Sequence, residues 1–237
     1  MSVTGTVDPL PALEYSKDGS TWTTFEIGTT TVELADGEKV YFRGDNSSFS
    51  PSLMFTDYIK FTMTGKIAAS GNIMSLVDKT CASKIIPNEC CFYCLFEECT
   101  SLTTAPDLPA TTLTDYCYAG MFNGCTALVS APVLPATTLA QYCYSNMFSN
   151  CTALTTGPEL PATSLVNRCY YSMFRNCSAL TSIKVHFTDW NTGANSTQNW
   201  VDGVSATGKF YYKTGSLLDV STKDNNHVPT GFTPEEF

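Results

Sequence analysis

A repeat of 26 residues constrains this chain more than any other feature of its sequence. The three full copies are CFYCLFEECTSLTTAPDLPATTLTDY at 91–116, CYAGMFNGCTALVSAPVLPATTLAQY at 117–142 and CYSNMFSNCTALTTGPELPATSLVNR at 143–168. A partial fourth copy, CYYSMFRNCSALTSIKVHF, follows at 169–187. Two cysteine registers recur through them, Cys91, Cys117, Cys143 and Cys169, and eight residues later Cys99, Cys125, Cys151 and Cys177. This periodicity predicts a solenoid, in which each repeat buries its apolar side against its neighbours.

The first part of each repeat has the apolar spacing of a short helix. In the third copy and just before it, the residues that carry this spacing are Leu139, Cys143, Met147, Phe148 and Cys151. Side chains four positions apart lie on one face of a helix, so we expect that face to be buried. Each copy then has Gly or Asn before its second cysteine, at Gly124, Asn150 and Asn176. These residue types tolerate the left-handed conformation that ends many helices, and the helix is therefore predicted to end there.

The second part of each repeat predicts a turn and a very short strand. A leucine is followed three positions later by a small residue or by isoleucine, as in Leu128 with Ala131 and Leu180 with Ile183. A proline then follows in the full copies, at Pro106, Pro132 and Pro158. Because proline removes a backbone donor from a ladder of strands, we expect short and irregular strands there. The last copy lacks this proline, and its strand is expected to be more regular.

These motifs together resemble the BspA-like class of leucine-rich repeats. The resemblance is carried by a cysteine followed three positions later by leucine, a short strand, Leu-Pro, and an aromatic segment with Met-Phe and a closing cysteine, and it covers about 84–187. The tail segments NWVDGVSATGKFYY and VPTGF resemble the closing module of such proteins. Members are mostly bacterial surface proteins, abundant in gut Bacteroides, and the resemblance implies adhesion or partner recognition without catalytic residues.

The predicted fold is an α+β repeat solenoid, a short leucine-rich-repeat stack with one short strand and one short helix per rung. Alternating apolar and polar residues in LEYS, TWTTFEI, TTVELA, KVYFRG and YIKFTMTG predict an all-β module at 1–65. The solenoid is predicted at 66–187 and a small α+β cap at 188–237. In the cap, STQNWVDGV predicts a helix capped by Ser196 or Thr197, followed by the strand GKFYYKT.

Charge and hydropathy restrict the partners. The formal net charge is −9. Because binding to nucleic acid depends on Lys and Arg neutralising phosphates, we expect no nucleic-acid partner. The apolar runs are too short to cross a bilayer, so no transmembrane segment is expected.

The first residues, MSVTGTVDPLPALEY, lack the positive and apolar regions of a signal peptide. One interpretation is an exported protein, at the cell surface or secreted, whose leader is not in this chain. The alternative is a virion protein that begins at Met1.

The sequence offers little for catalysis or for a cofactor. The cysteines follow the apolar registers, so we interpret the eleven of them as mostly buried free thiols rather than disulfides or metal ligands. The two histidines, His186 and His227, give no basis for a catalytic triad. Asp107 and Glu159 share a repeat position two rungs apart, which leaves a glycan hydrolase as a distant alternative. We therefore expect no catalytic residue, no metal and no cofactor.

Recognition of a protein or glycan by the solenoid surface is the function that this sequence favours. The candidate ligand-binding residues occupy two registers of the strand side, Thr104, Ser130, Thr156 and Ser182, and Asp107, Val133 and Glu159. The second register varies between otherwise similar repeats, which is where specificity can be encoded. The alternative is a phage or virion structural or receptor-binding protein. A free β edge would also allow a homo-oligomer or assembly into a particle.

Overall fold

The computed structural model describes residues 1–5, 9–50 and 57–237 as a nearly all-β protein. Its strands are β1 (Ser2–Gly5), β2 (Leu13–Ser16), β3 (Thr23–Phe25), β4 (Tyr41–Arg43), β5 (Ile59–Thr62), β6 (Ile67–Ala68), β7 (Leu102–Thr104), β8 (Thr156–Leu160), β9 (Ser182–Val185), β10 (Gly208–Tyr212) and β11 (Phe232–Glu236). Within those ranges the one helical element is a 3₁₀ turn at Ile73–Leu76, which Asn72 caps.

The predicted α+β leucine-rich-repeat stack is wrong, because the repeats form a β-solenoid whose coils contain no α-helix in the part of the chain that the structure describes. One wall of each coil contributes to a parallel sheet. In that sheet β6 pairs with β7, and β8, β9, β10 and β11 pair in chain order. Single-residue bridges from Thr104 to Ser130 and from Ser130 to Thr156 connect the two groups of strands.

The segments predicted as helices form a second wall, made of turns that are hydrogen-bonded from coil to coil. At positions 116–124 the even-numbered residues donate their N–H groups to the next coil, as Tyr118 does to the Cys143 carbonyl at 3.0 Å. The odd-numbered residues donate within their own coil to the residue three positions earlier, as Met121 does to the Tyr118 carbonyl at 3.2 Å. This alternation satisfies the backbone of the wall without an α-helix.

Left-handed residues at every fourth position make this wall possible. Their φ angles lie between 50 and 76°. They are Cys90, Cys94 and Glu98, then Tyr116, Gly120 and Gly124, Tyr142, Asn146 and Asn150, Arg168, Ser172 and Asn176, and Asn195, Asn199 and Gly203. After most of them the next one or two residues are buried, as Met121 and Phe122 are after Gly120. A four-residue unit that buries two adjacent residues has nearly the same apolar period as a helix. This similarity explains why helices were predicted in the repeats.

Asn150→Val should reduce the free energy of unfolding by about 2 to 3 kcal/mol, since a left-handed residue with a branched side chain is strained by roughly 1–2 kcal/mol and three side-chain hydrogen bonds are lost, including one to Ser149. Asn150 has φ 62° and bonds to Asn123 at 3.0 Å and to Asn176 at 2.9 Å. Asn150→Gly is the control, because Gly124 occupies the same register. Urea unfolding of both variants tests this. Equal stability of the two variants would contradict the left-handed assignment.

The strands of the repeats are short and irregular near the prolines, as predicted. The pairing of β8 with β9 shifts register between Thr156 and Glu159, which flank Pro158. Around Pro132 the wall keeps only the bridges of Ser130. The last copy, which has no such proline, forms β9 without a shift against β10.

Four of the five strands predicted for the N-terminal module are present. LEYS, TWTTFEI and KVYFRG contain the strands of the antiparallel sheet β3-β2-β4, and YIKFTMTG contains β5, which pairs with β1. TTVELA contains only an isolated bridge at Thr31 and is not a strand. Phe25 belongs to the buried core. Positions 6–8 and 51–56 of the predicted module lie outside the described residues.

The C-terminal segment continues the solenoid, and the α+β cap is a second error. STQNWVDGV lies on the turn wall, where Tyr170 donates to the Ser196 carbonyl at 2.9 Å and Phe174 to the Trp200 carbonyl at 2.8 Å. The GKFYYKT strand is confirmed as β10, which pairs in parallel with β9 and β11. Trp190 and Trp200 are buried and anchor this segment to the core.

The core between the walls is built from ladders of identical side chains. Phe96, Phe122, Phe148 and Phe174 stack with ring centroids 5.6–6.0 Å apart. Tyr118, Tyr144 and Tyr170 form a parallel stack and are fully buried. The second cysteine register donates to the previous coil, for example from Cys151 Sγ to the Phe122 carbonyl at 3.1 Å. Burial of the thiols is confirmed, since ten of the eleven cysteines are buried and all are free.

Candidate functional site

The first predicted register forms one continuous column on the sheet wall. Thr104 pairs with Ser130, Ser130 with Thr156, and Thr156 with Ser182. The first three are exposed and Ser182 is half-buried. The Thr104 hydroxyl also donates to the Ala69 carbonyl at 3.0 Å. The structure therefore brings the four hydroxyl residues together, one from each successive coil.

The second register is exposed and chemically different in each coil. Asp107, Val133 and Glu159 all lie on the surface, and 79% of Val133 is exposed. In the same coil 53% of Val129 is exposed. The sheet wall thus has an apolar centre with a carboxylate in the coil on either side.

Lys184 and His186 are part of this surface, and the sequence analysis did not include them among the binding residues. Lys184 Nζ lies 3.0 Å from Glu159 Oε1, and His186 Nε2 contacts the same oxygen. Both side chains also contact the ring of Phe237. Lys184 and His186 reach Glu159 because β8 pairs in parallel with β9, and sequence spacing alone does not specify this pairing.

Hydrogen bonds from His186 and then Lys184 hold the pKa of Glu159 below its ordinary value. A glycosidase needs one carboxyl group with a raised pKa to donate a proton. The environment of Glu159 shifts its pKa in the opposite direction. A general-acid role for Glu159 therefore has no electrostatic support.

The described residues contain no group of three or more His, Cys, Asp or Glu placed to hold a metal ion. The thiols of Cys90, Cys91, Cys94 and Cys99, which include a Cys-x-x-Cys spacing, are buried. Burial raises the pKa of Cys90 and Cys99 to about 11 and that of Cys94 to about 12. These thiols remain protonated at neutral pH, and protonated thiols are poor metal ligands and nucleophiles.

A groove of about 420 Å³ lies on the turn wall, away from the predicted site. We call it the tyrosine groove, and it is lined by Tyr93, Tyr116, Tyr142, Tyr171, Arg168 and Glu97, with smaller residues at its floor. Of the tyrosines that recur in the repeats, Tyr118, Tyr144 and Tyr170 are buried packing residues and do not line the groove. Sequence analysis missed the groove. The signal that could have found it is the register 93, 119, 145 and 171, read across the repeats.

The parallel ladder and its coil-to-coil hydrogen bonds define a β-solenoid with exposed surfaces on both walls. Comparison of the chain with protein-family models, with curated proteins and with solved structures found no match. Within the described ranges, none of the helical segments has the length and apolar character that crossing a membrane requires.

Proposed function

We propose that this protein is a non-enzymatic binding protein that recognises a protein or glycan partner on its sheet wall. The observation that carries the proposal is the second register, where three successive coils expose Asp107, Val133 and Glu159, each three residues after the bridged hydroxyl column. These bridges fix the backbone of the wall beside the register. Changes at these three positions therefore alter the surface without altering the fold.

The composition of the surface supports a binding role. Val129 and Val133 are exposed apolar side chains at its centre, and the charged residues Asp107, Glu159 and Lys184 surround them. Recognition surfaces commonly have an apolar centre and a polar rim. The bridges of Ser130 anchor this coil three residues before Val133, so little ordering is needed when a partner docks.

Val133→Asp should weaken attachment by about tenfold or more, because a central apolar contact is replaced by a charge that the partner must desolvate. The melting temperature should stay within a few degrees of the parent, since the side chain is mostly exposed. The measurements are attachment to cultured cells and to immobilised mucin from which the acidic sugars have been removed.

Leu217→Asp is the matched control, because 89% of Leu217 is exposed and it lies in the loop after β10. This variant should attach as the parent does. Equal attachment of Val133→Asp and the parent would show that the sheet wall is not the recognition surface. A loss shared by both variants would indicate a nonspecific effect of charge and would also count against the proposal.

A further inference from the structure

The tyrosine groove contains a notch created by side-chain size. One register of the turn wall reads Tyr93, Ala119, Ser145 and Tyr171 in four successive coils. Two small side chains therefore lie between two tyrosines. With strands about 4.8 Å apart, three coil intervals place the two tyrosines about 14 Å apart along the solenoid axis. The resulting space accommodates two or three small rings but not a folded protein surface.

The floor of the notch is closed to larger side chains. Gly120 adopts φ 64°, and a Cβ atom there would lie 2.7 Å from Cys94 Sγ. Ser145 is 4% exposed and Ala119 is also 4% exposed. The depth of the notch therefore follows from the absence of side-chain atoms in the two central coils.

One wall of the groove is an aromatic stack that ends in a cation. Tyr116 and Tyr142 stack with ring centroids 4.3 Å apart. The Arg168 guanidinium lies 5.3 Å from the Tyr142 ring centroid and donates from Nη1 to the Tyr142 hydroxyl. It also lies 5.7 Å from the centroid of Tyr171. Two tyrosines thus hold the guanidinium in place beside the notch.

Arg168 has no carboxylate partner among the residues that the structure describes, and its Nε is buried without a hydrogen-bond acceptor there. The one carboxylate among the residues that line the groove, Glu97, already accepts from Tyr58 at 2.8 Å and from Asn123 at 3.2 Å. Lys60 lies 3.7 Å from the same carboxylate and 3.2 Å from that of Glu98. Arg168 is therefore the one cation among the residues that line the groove, and none of the described carboxylates pairs with it.

We propose that the tyrosine groove binds a carbohydrate that carries a carboxylate. Sugar rings have apolar C–H faces and polar rims, which match tyrosine rings and the Ser145, Asn123 and Asn146 side chains. The single positive charge matches a carboxylate of charge −1, and arginine binds carboxylates through two parallel hydrogen bonds. A phosphorylated ligand would bring more negative charge to a protein of net charge −9 that offers it one cation. The volume of the groove falls in the usual range for small-ligand sites.

This site does not depend on the sheet wall. The groove lies on the turn wall, in residues 93–171, and shares none of its side chains with Asp107, Val133 or Glu159. Variants of one wall leave the other intact, so either proposal can fail without the other.

Titration calorimetry with defined oligosaccharides tests the proposal. The probes are sialyllactose with lactose as its neutral match, and trigalacturonic acid with its methyl ester as its neutral match. We expect at least one acidic sugar to bind about tenfold or more tightly than its neutral match, as charged hydrogen bonds typically contribute. The pair that shows the difference identifies whether the acidic sugar is a sialic acid or a uronic acid. A trimer of glutamate is the peptide probe and should bind more weakly than the acidic sugar.

Two variants locate the site. Ser145→Tyr fills the notch with a side chain that the same register already holds at Tyr93 and Tyr171, and it should abolish binding of every sugar. Arg168→Gln should remove the preference for the acidic sugar, and Arg175→Gln, at an exposed arginine outside the groove, should retain it. Each variant is compared with the parent by its melting temperature.

The proposal is overturned if neither acidic sugar binds better than its neutral match, or if glutamate trimer binds as tightly as the sugars. Retention of the acidic preference in folded Arg168→Gln would also overturn it. If Ser145→Tyr does not fold, Arg168→Gln decides the matter alone.

Discussion

Raising the pH from about 8 to about 10 is expected to unfold the protein, because ten buried thiols must stay protonated in the folded state and are free to ionise in the unfolded state. Burial raises the pKa of Cys90, Cys99 and Cys169 to about 11 and that of Cys94, Cys117 and Cys177 to about 12. The pKa values of Cys91, Cys125, Cys143 and Cys151 are raised further, again by burial.

The sign of the effect follows from proton binding. Each thiol has a higher pKa when folded than when unfolded, so between those values the folded state holds more protons and stability falls as pH rises. Full stability is present below the unfolded pKa of 9.0. At pH 10 each thiol lowers the free energy of unfolding by about 1.4 kcal/mol, and ten thiols together by roughly 14 kcal/mol. Total stabilities are typically about 5–15 kcal/mol, so the loss is sufficient for unfolding.

Circular dichroism and the ultraviolet absorbance of thiolate, followed together during a pH titration in reductant, measure this. Both signals should change in one cooperative step, because the thiols ionise only on unfolding. Thiolate absorbance that rises gradually while the circular dichroism is unchanged would show that the thiols are accessible in the folded state. Tyrosinate absorbance from Tyr118, Tyr144 and Tyr170 should not appear before the protein unfolds, since burial raises the pKa of each well above the ordinary value.

The sequence predicted the solenoid, the registers that face its core and the irregular strands near the prolines. Cys117, Met121 and Phe122 recur at a fixed interval, and only stacking of the repeats buries such positions together. The left-handed conformation was also predicted at Gly124, Asn150 and Asn176, and φ angles of 60–76° confirm it. These features depend on residue type and spacing alone, which the sequence contains in full.

The prediction of helices was wrong because the left-handed conformation of the turn wall is adopted by several residues whose types do not indicate it. Tyr116, Tyr142 and Arg168 are left-handed, although these residue types rarely adopt positive φ. The conformation is stabilised by the N–H group of each, which bonds to a neighbouring coil, as Tyr116 does to the Gln141 carbonyl at 3.0 Å. Such contacts are invisible in one repeat considered alone, where the period of four is typical of a helix.

The candidate sites were likewise predicted in part, where they depend on the repeat register, and missed where they depend on contacts between coils. Asp107, Val133 and Glu159 could be placed side by side from the repeat because they share one register. The contacts of Glu159 with Lys184 and His186 depend on the register shift between β8 and β9, which spacing does not reveal. Finding the tyrosine groove required the register 93, 119, 145 and 171 to be compared between coils, on a wall whose geometry had been predicted as helical.

Met147→Asp should unfold the protein or lower its melting temperature by about 12 °C or more, at about 2–4 °C for each kcal/mol lost. Met147 is fully buried in the third coil, beside Phe148. Removing the side chain loses about 2–5 kcal/mol of packing, and placing an ionised carboxylate in the core adds several kcal/mol more.

The loss should spread beyond one coil, because the Met147 carbonyl accepts the Phe122 N–H at 2.9 Å and the Phe148 N–H donates to the Met173 carbonyl at 3.0 Å. A coil that opens removes the bonding partners of both neighbours, so thermal unfolding should stay cooperative. Val133→Asp introduces the same carboxylate at an exposed position of the solenoid and should melt within a few degrees of the parent. If Met147→Asp melts as Val133→Asp does, Met147 faces water and the inward pairing of residues on the turn wall is wrong. If it loses only part of its circular dichroism in a separate early step, the coils unfold independently and the ladder does not couple them.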